Sequence, residues 1–139
     1  MPDIAHSAYA MIADMKPTLI PGVFAFVSTT SPALIGSLSS HAIATFREEE
    51  GLSLLVPMGL AERSGAELSQ PMRCITLNVY SSLDGIGLTA AVSKALSDAD
   101  IPCNMIAAFH HDHVFVPSDK CENALDVLAQ LQSRARDFL

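Results

Sequence analysis

The chain has 139 residues, of which 50% are apolar and 17% charged, so it can build a hydrophobic core and lies outside the composition of disordered chains. Eight basic against fifteen acidic residues give a net charge of −7, and the basic residues are scattered singly, which argues against nucleic acid and membrane surfaces as partners. The three cysteines lack CxxC spacing, and the sequence has no signal-peptide pattern and no apolar run near the ~20 residues that span a bilayer. These features predict a soluble cytoplasmic protein.

The first half of the chain predicts short elements separated by polar segments. In chain order they are a helix over 4–15, a buried strand over 23–27, a loop over 28–41, a β-hairpin over 43–46 and 52–56, a helix over 57–64 and a linker over 65–71. The loop is predicted because Ser, Thr, Pro and Gly dominate it. The helix at 57–64 opens on a proline, which is tolerated at a first helical position.

The second half carries clearer periodicity. Residues 74–79 alternate between apolar and polar, which predicts a strand with one buried face. Apolar residues from Leu88 to Ala99 recur at i, i+3, i+4 and i+7, which predicts an amphipathic helix. Two short strands over 103–109 and 114–116 then precede a final helix, where Asp119 and Glu122 have the spacing of a capping box.

An internal repeat relates the two halves. Ala44-Thr45-Phe46, a polar turn, Val56-Pro57 and a helix are echoed by Ala107-Ala108-Phe109, a polar turn, Val116-Pro117 and a helix. The agreement in the order of elements predicts two degenerate copies of one unit. In the first copy, the helix after the opening strand is expected to have decayed into the 28–41 loop.

The second half resembles the ACT domain. The resemblance rests on the strand, the turn Ser81-Ser82-Leu83-Asp84-Gly85-Ile86-Gly87, the helix and Ile101-Pro102-Cys103-Asn104, and it is strongest to the paired ACT units of aspartate kinases. The whole chain is similar to bacterial stand-alone double-ACT proteins, marked by Ala44-Thr45-Phe46-Arg47-Glu48, Ser81-Ser82-Leu83-Asp84 and His110-His111-Asp112-His113-Val114-Phe115-Val116-Pro117.

The resemblance implies an α+β fold with two side-by-side ferredoxin-like (βαββαβ) ACT units, and a homodimer. The first unit, residues 1–70, is expected to be degenerate, and residues 71–139 form the better preserved unit. Residues 133–139 are too short and charged for a closing strand, so we expect a strand from elsewhere to complete the sheet, with residues 18–20 as the candidate.

The resemblance also places an amino-acid ligand where the connection after the first strand meets the start of the second. The predicted ligand-binding residues are Ser81, Ser82, Leu83, Asp84, Gly85, Ile86, Gly87, Cys103, Asn104 and Met105. Glycines let backbone amides approach a carboxylate, and the helix N-terminus favours an anion. Asp84 or a backbone carbonyl is expected to bind the ammonium group. Asn104 aligns with a ligand-contacting position in aspartate kinases, and its neutral amide favours a polar or neutral amino acid. Such turns are also required by the geometry of this fold, whether or not a ligand binds.

The cluster His110, His111, Asp112 and His113 offers four potential metal ligands in four residues. Consecutive residues on a tight hairpin point in different directions, and neither His-x3-His spacing nor a Cys pair supports a metal site. We therefore predict a polar hairpin turn without a metal, and no cofactor. Ser81-Ser82 lacks a nucleophile-elbow pattern, so we predict no catalytic residue.

The leading hypothesis is an amino-acid-binding regulatory protein, not an enzyme, that acts in trans without its own catalytic domain. It would work through ligand-dependent changes in oligomer or partner contacts. The alternatives are an interaction module that assembles without a ligand and a small His-dependent or metal-dependent enzyme.

Overall fold

The structure, a computed structural model, describes residues 4–79 and 87–139, with only the backbone described over residues 4–7. The elements in chain order are α1 (Ile4–Asp14), β1 (Pro17–Leu19), β2 (Phe24–Thr29), α2 (Pro32–Leu38), β3 (Ala44–Glu48), β4 (Gly51–Pro57), α3 (Met58–Ser64), β5 (Glu67–Leu68), β6 (Met72–Leu77), α4 (Leu88–Asp98), β7 (Asn104–Ala107), β8 (Asp112–Pro117) and α5 (Cys121–Phe138). The chain divides into two compact units, which we call the inserted unit (Pro21–Met72) and the enclosing unit (Met1–Ile20 with Arg73–Leu139).

The inserted unit has the complete βαββαβ order, from β2 to β5. Its strands lie in the order β5-β2-β4-β3, and β2 pairs antiparallel with β4 from Phe24 opposite Pro57 to Thr29 opposite Leu52. Alternate residues of β2 and β4 face the two short helices. The buried core they form consists of Ala25, Val27, Leu38, Leu54, Val56 and Ala61.

Two predictions for this unit were wrong in detail. Residues 28–41 are not a loop, because Pro32–Leu38 forms α2 and a 3-10 turn follows it. The hydroxyl of Ser31 caps α2 by accepting from the amide of Leu34 at 3.3 Å, and Pro32 takes a first-turn position that needs no amide partner. The predicted linker contains β5, the closing strand of the sheet. The unit is therefore degenerate in the length of its helices rather than in their number.

The enclosing unit takes its closing strand from the start of the chain. Its strands lie in the order β1-β6-β8-β7, and β1 pairs antiparallel with β6 from Pro17 opposite Leu77 to Leu19 opposite Ile75. The expectation that a strand near residues 18–20 closes the sheet is confirmed. The structure differs here from the division into 1–70 and 71–139, because the first twenty residues group with the C-terminal unit. The fold class, two ferredoxin-like units, is confirmed.

Three helices cover one face of the enclosing unit's sheet. The buried side chains between them are Ile12, Ala13, Met15, Ile75, Leu77, Leu88, Val92, Leu96, Ile101, Val114, Val116, Cys121, Ala124, Leu128 and Ala135. The predicted capping box does not form, since Lys120 occupies the N-cap of α5 without a side-chain cap and Asp119 lies in a 3-10 turn before it. Within the described ranges, no helix has both the length and the apolar character needed to cross a membrane.

The C-terminus of α4 fixes where β7 begins. Asp100 has φ of 59°, and the amides of Asp100 and Ile101 donate to the carbonyls of Ser97 and Leu96, both at 2.9 Å. This is the Schellman arrangement that satisfies the last carbonyls of a helix. Because Ile101 is buried, Pro102 and the start of β7 are held against the end of α4.

The internal repeat is confirmed in its order of elements but not in its phenylalanines. When Val56-Pro57 is placed on Val116-Pro117, Phe46 corresponds to Ile106. Phe46 lies opposite Ser53, and Ile106 lies opposite His113, each partner four residues before its proline. Phe109 lies in the connection between β7 and β8, so its match to Phe46 in the sequence was a coincidence.

Candidate functional site

The predicted ligand-binding residues fall into two groups in the structure. Ser81, Ser82, Leu83, Asp84, Gly85 and Ile86 lie outside the described residues. Gly87, Cys103, Asn104 and Met105 are described, and they lie at the N-terminus of α4 and at the start of β7.

Gly87 is the N-cap of α4, and its backbone requires glycine for two reasons. Its φ is +107°, a region that side chains of L-residues rarely adopt, and a Cβ built on it would lie 2.7 Å from the Cβ of Ala8. Its carbonyl accepts the first helical hydrogen bond, from the amide of Ala91 at 2.9 Å. Glycine has no side chain of its own to cap the helix, and the first-turn amides of a helix are groups that favour an anion.

The residues at the start of β7 point to two faces of the sheet. Met105 lies opposite Val114 and packs against the buried core, as does Cys103. Asn104 lies between them opposite Phe115, so its side chain is on the face without helices. The structure therefore brings Cys103 and Met105 together and separates the side chain of Asn104 from them.

An open groove of about 680 Å³ runs beside α4. It is lined by Ala90, Ser93, Lys94, Ser97, Ile101, Pro102 and Cys103. Lys94 forms an exposed ion pair with Asp98, with Nζ and Oδ2 2.7 Å apart. Of the described predicted residues, Cys103 alone lines this groove, so the groove extends away from Gly87 rather than enclosing the predicted site.

The histidine cluster lies on a β-hairpin, as predicted. The amide of Ala108 donates to the carbonyl of His111 at 3.0 Å, and the exposed side chains of Phe109 and His110 form the tip. Asp112 and His113 belong to β8 rather than to the turn, so the cluster lies partly in the turn and partly in a strand. Over residues 4–79 and 87–139, no group of three or more His, Cys, Asp or Glu side chains is placed to hold a metal ion.

His113 is held by a neighbouring strand. Its Nδ1 lies 2.9 Å from the hydroxyl of Thr76 on β6. Burial lowers the pKa of His113, nearby His111 lowers it further, and Asp112 opposes both effects. A hydroxyl beside an imidazole is the geometry of a nucleophile and its base, yet Thr76 is only 7% exposed, which leaves little access for a substrate. This pair is best explained as a stabilising cross-strand contact.

The three cysteines are free thiols. Burial raises the pKa of Cys74, Cys103 and Cys121, although Thr76 partly offsets this at Cys74 and Arg73 at Cys121. A raised pKa favours the protonated thiol, which is a poor nucleophile. The buried positions of Cys74 and Cys121 fit packing roles, whereas Cys103 is only partly buried.

Two family models of the ACT domain match the chain, at residues 7–73 and 69–130, with a short overlap. The chain belongs to the ACT-domain family. It is 35% identical to a Vibrio cholerae protein of unknown function described as a possible transport protein; the match covers 94% of this chain and 99% of that one, with a TM-score of 0.81.

More distant solved structures share the fold. An Agrobacterium tumefaciens protein is 20% identical, with 85% of this chain and 89% of that one covered and a TM-score of 0.68. The regulatory subunit of aspartate kinase from Thermus thermophilus, in a ligand-free form, is 11% identical, with 83% and 95% covered and a TM-score of 0.62. No curated protein matches the chain.

The sequence reasoning missed the residues by which the start of the chain contacts the two described ends of the predicted site. Asn78, directly after β6, donates from Nδ2 to the carbonyl of Lys16 at 2.9 Å and to the hydroxyl of Thr18. Ala8 of α1 contacts Gly87. Asn78 and Lys16 are 62 residues apart, so no local pattern relates them. The only available signal was the missing closing strand of the C-terminal ACT unit.

Proposed function

We propose that this ACT protein binds a polar or neutral amino acid at the connection between β6 and α4 and that binding regulates its contacts with other proteins. The proposal rests above all on Gly87, the N-cap of α4, which has no side chain of its own with which to cap the first-turn amides. A ligand carboxylate would accept from these amides and would be favoured by the helix dipole. The resemblance to aspartate-kinase regulatory subunits supports a regulatory role for such a site.

The ligand's other groups would be bound by residues of the predicted set. Asp84 is proposed to bind the ammonium group, and Cys103 and Met105 to contact the ligand from the start of β7. We retain Asn104 in the set but expect Asn104→Ala to weaken binding less than Asp84→Ala, because its side chain lies on the opposite face from Cys103 and Met105.

A thermal-shift panel with the twenty amino acids tests this proposal. A ligand at 100 times its Kd stabilises a protein by about 2.7 kcal/mol, which corresponds to a rise in Tm of roughly 5–11 °C for a chain of this size. Asp84→Ala should abolish the shift, whereas Asp126→Ala, which removes an exposed carboxylate from α5, should keep it. No shift with any amino acid would contradict the proposal.

The alternative of an interaction module without a ligand is favoured by the surface of β3. Phe46 is 71% exposed and Ile43, just before the strand, is 51% exposed. Among the described residues, β3 pairs with β4 alone, so its outer edge is open to another strand. We propose that the regulatory protein also forms a homodimer, so the two candidate functions differ in whether assembly depends on the ligand. Light scattering coupled to size exclusion should show a mass that changes with the ligand for a sensor, and a fixed dimer for the module.

A further inference from the structure

The inserted unit has a pocket on the face of its sheet opposite α2 and α3. Its volume is about 230 Å³, and it is lined by residues of β2 and β4 and of β5 with the residue that follows it. Val27 and Leu54 belong to the core under the helices, so the residues beside them, Ser28 and Ser53, point to the pocket face. Glu67 lies opposite Ser28 in the sheet and shares this face. The floor of the pocket is thus a row of three polar side chains.

A second carboxylate approaches this row from β3. The hydroxyl of Ser53 donates to Oε1 of Glu48, which places the Glu48 carboxylate at the end of the row away from Glu67. Strand β2 pairs with β5 on one side and with β4 on the other, so Glu67 and Ser53 are two strand spacings apart, about 10 Å. The two carboxylates therefore lie at opposite ends of the row.

The charges of the inserted unit favour a cation on this face. The unit has five glutamates and two arginines, and it has no lysine or aspartate. Arg47 lies opposite Leu52, which packs against the core, so Arg47 is on the helix face, and Arg63 belongs to α3. Over residues 21–72, all of which the structure describes, no arginine or lysine shares the pocket face with Glu48 and Glu67.

The separation of the two carboxylates decides which kind of cation fits. A calcium or magnesium ion holds its oxygen ligands at about 2–2.6 Å, so one ion cannot bind two carboxylates about 10 Å apart. A molecule with an ammonium group at each end can form a charge-assisted hydrogen bond with each carboxylate. Its methylene groups would cross Ser28 and Ser53 and pass the ring of Phe26, which lines the pocket and can also attract a cation.

We propose that this pocket binds a short linear diamine, with one ammonium group on Glu67 and the other on Glu48. The backbone around the site is fixed by Ser69, whose hydroxyl accepts from the amide of Phe26 at 2.9 Å and whose amide donates to the carbonyl of Phe26 at 2.9 Å. These bonds hold β5 against β2 and keep Glu67 at the end of the row. The site uses residues of the inserted unit alone and shares none with the amino-acid site proposed above.

An amide NMR titration with putrescine tests the site. We expect saturable shifts that are largest at the amides of Ser28, Ser53 and Glu67. Glu67→Gln and Glu48→Gln should each raise the Kd of putrescine about five- to tenfold, because each removes one charged partner and keeps the shape of the side chain. The matched control is Glu49→Gln, which removes the same charge from the turn after β3 and should raise the Kd less than about twofold.

A second ligand and a further variant test the two-ended geometry. Butylamine has the same carbon chain with one ammonium group, so it should bind about tenfold more weakly than putrescine. Ser28→Lys places an ammonium group of the protein in the middle of the row, and this charge should abolish the saturable shifts by repelling the ligand. Circular dichroism of each variant checks that the fold is retained.

Four results would overturn the proposal. They are shifts that grow with putrescine without saturating, equal affinities for putrescine and butylamine, equal losses in Glu48→Gln and Glu49→Gln, and unchanged binding in a folded Ser28→Lys. Equal losses in the two Gln variants would indicate a general attraction to the acidic turn. None of these measurements uses an amino acid as ligand, so their failure leaves the proposed function to its own thermal-shift test.

Discussion

Met15 gives the clearest test of the assignment of the N-terminal arm, which is residues 4–20 with α1 and β1, to the enclosing unit. It lies between α1 and β1, is 0% exposed and belongs to the core that α4, α5 and β6 share. Its carbonyl accepts from the side chain of Gln132. If the arm is an integral part of this unit, truncation of Met15 should cost as much as truncation of any central core residue.

The magnitude follows from the atoms removed. Met15→Ala deletes three heavy atoms beyond Cβ, and at about 0.8 kcal/mol for each buried group the lost transfer free energy is about 2.4 kcal/mol. The cavity left behind adds to this, so the free energy of unfolding should fall by about 2–5 kcal/mol. With a urea m-value of about 2 kcal/mol/M, the midpoint should fall by roughly 1–2.5 M.

The assay is urea unfolding followed by circular dichroism. Met11→Ala is the matched control, because Met11 lies in the same helix but is partly exposed at the edge of the same core. We expect the control to lose less than half as much stability. If Met15→Ala were no more destabilising than Met11→Ala, the arm would not be anchored in the core, and the topology described above would be refuted.

Three further predictions concern His113, Gly51 and Gly36. Burial lowers the pKa of His113 below its unfolded value of about 6.5, so protonation of this side chain favours the unfolded chain. The stability that the protein has with His113 neutral is therefore present above about pH 6.5 and is lost as the pH falls below it. Urea midpoints measured from pH 7.5 to pH 5 should fall less steeply in His113→Gln than in the wild type. The control is His110→Gln. A pH dependence of the midpoint that is the same in His113→Gln and in the wild type would contradict this prediction. Gly51→Ala should destabilise by about 1–3 kcal/mol, because φ is +150° and the new Cβ would lie 2.8 Å from the carbonyl oxygen of Thr29. Gly36→Ala, in α2 with no atom within 4 Å of the added Cβ, should instead stabilise by about 0.5–1 kcal/mol, and the reverse order of urea midpoints would contradict both assignments.

The sequence predicted the elements whose side chains have a strong period. The apolar stripe from Leu88 defined α4, and the alternating residues 74–79 located β6 to within two residues. It failed for elements too short to show a period. Helix α2 has seven residues and β5 has two, so composition dominated the interpretation, although Ser31-Pro32 was a valid helix start.

The candidate site was less predictable, because its surroundings are set by the chain's topology. The family resemblance indicated Gly87 and the start of β7, but contacts with Ala8 and Lys16 arise only because the closing strand comes from the start of the chain. The family motif also could not predict the directions in which the side chains along β7 point. They depend on the register with β8, which separates Asn104 from Met105.

The most direct test of a ligand site at the β6–α4 connection is an amide NMR titration of the protein with the amino acid that gives the largest thermal shift. We predict saturable binding with the largest shifts at the amides of Gly87 and of Cys103 to Met105, and no such shifts in Asp84→Ala. Saturable shifts confined to the inserted unit, or shifts that persist unchanged in Asp84→Ala, would contradict a ligand site at the β6–α4 connection.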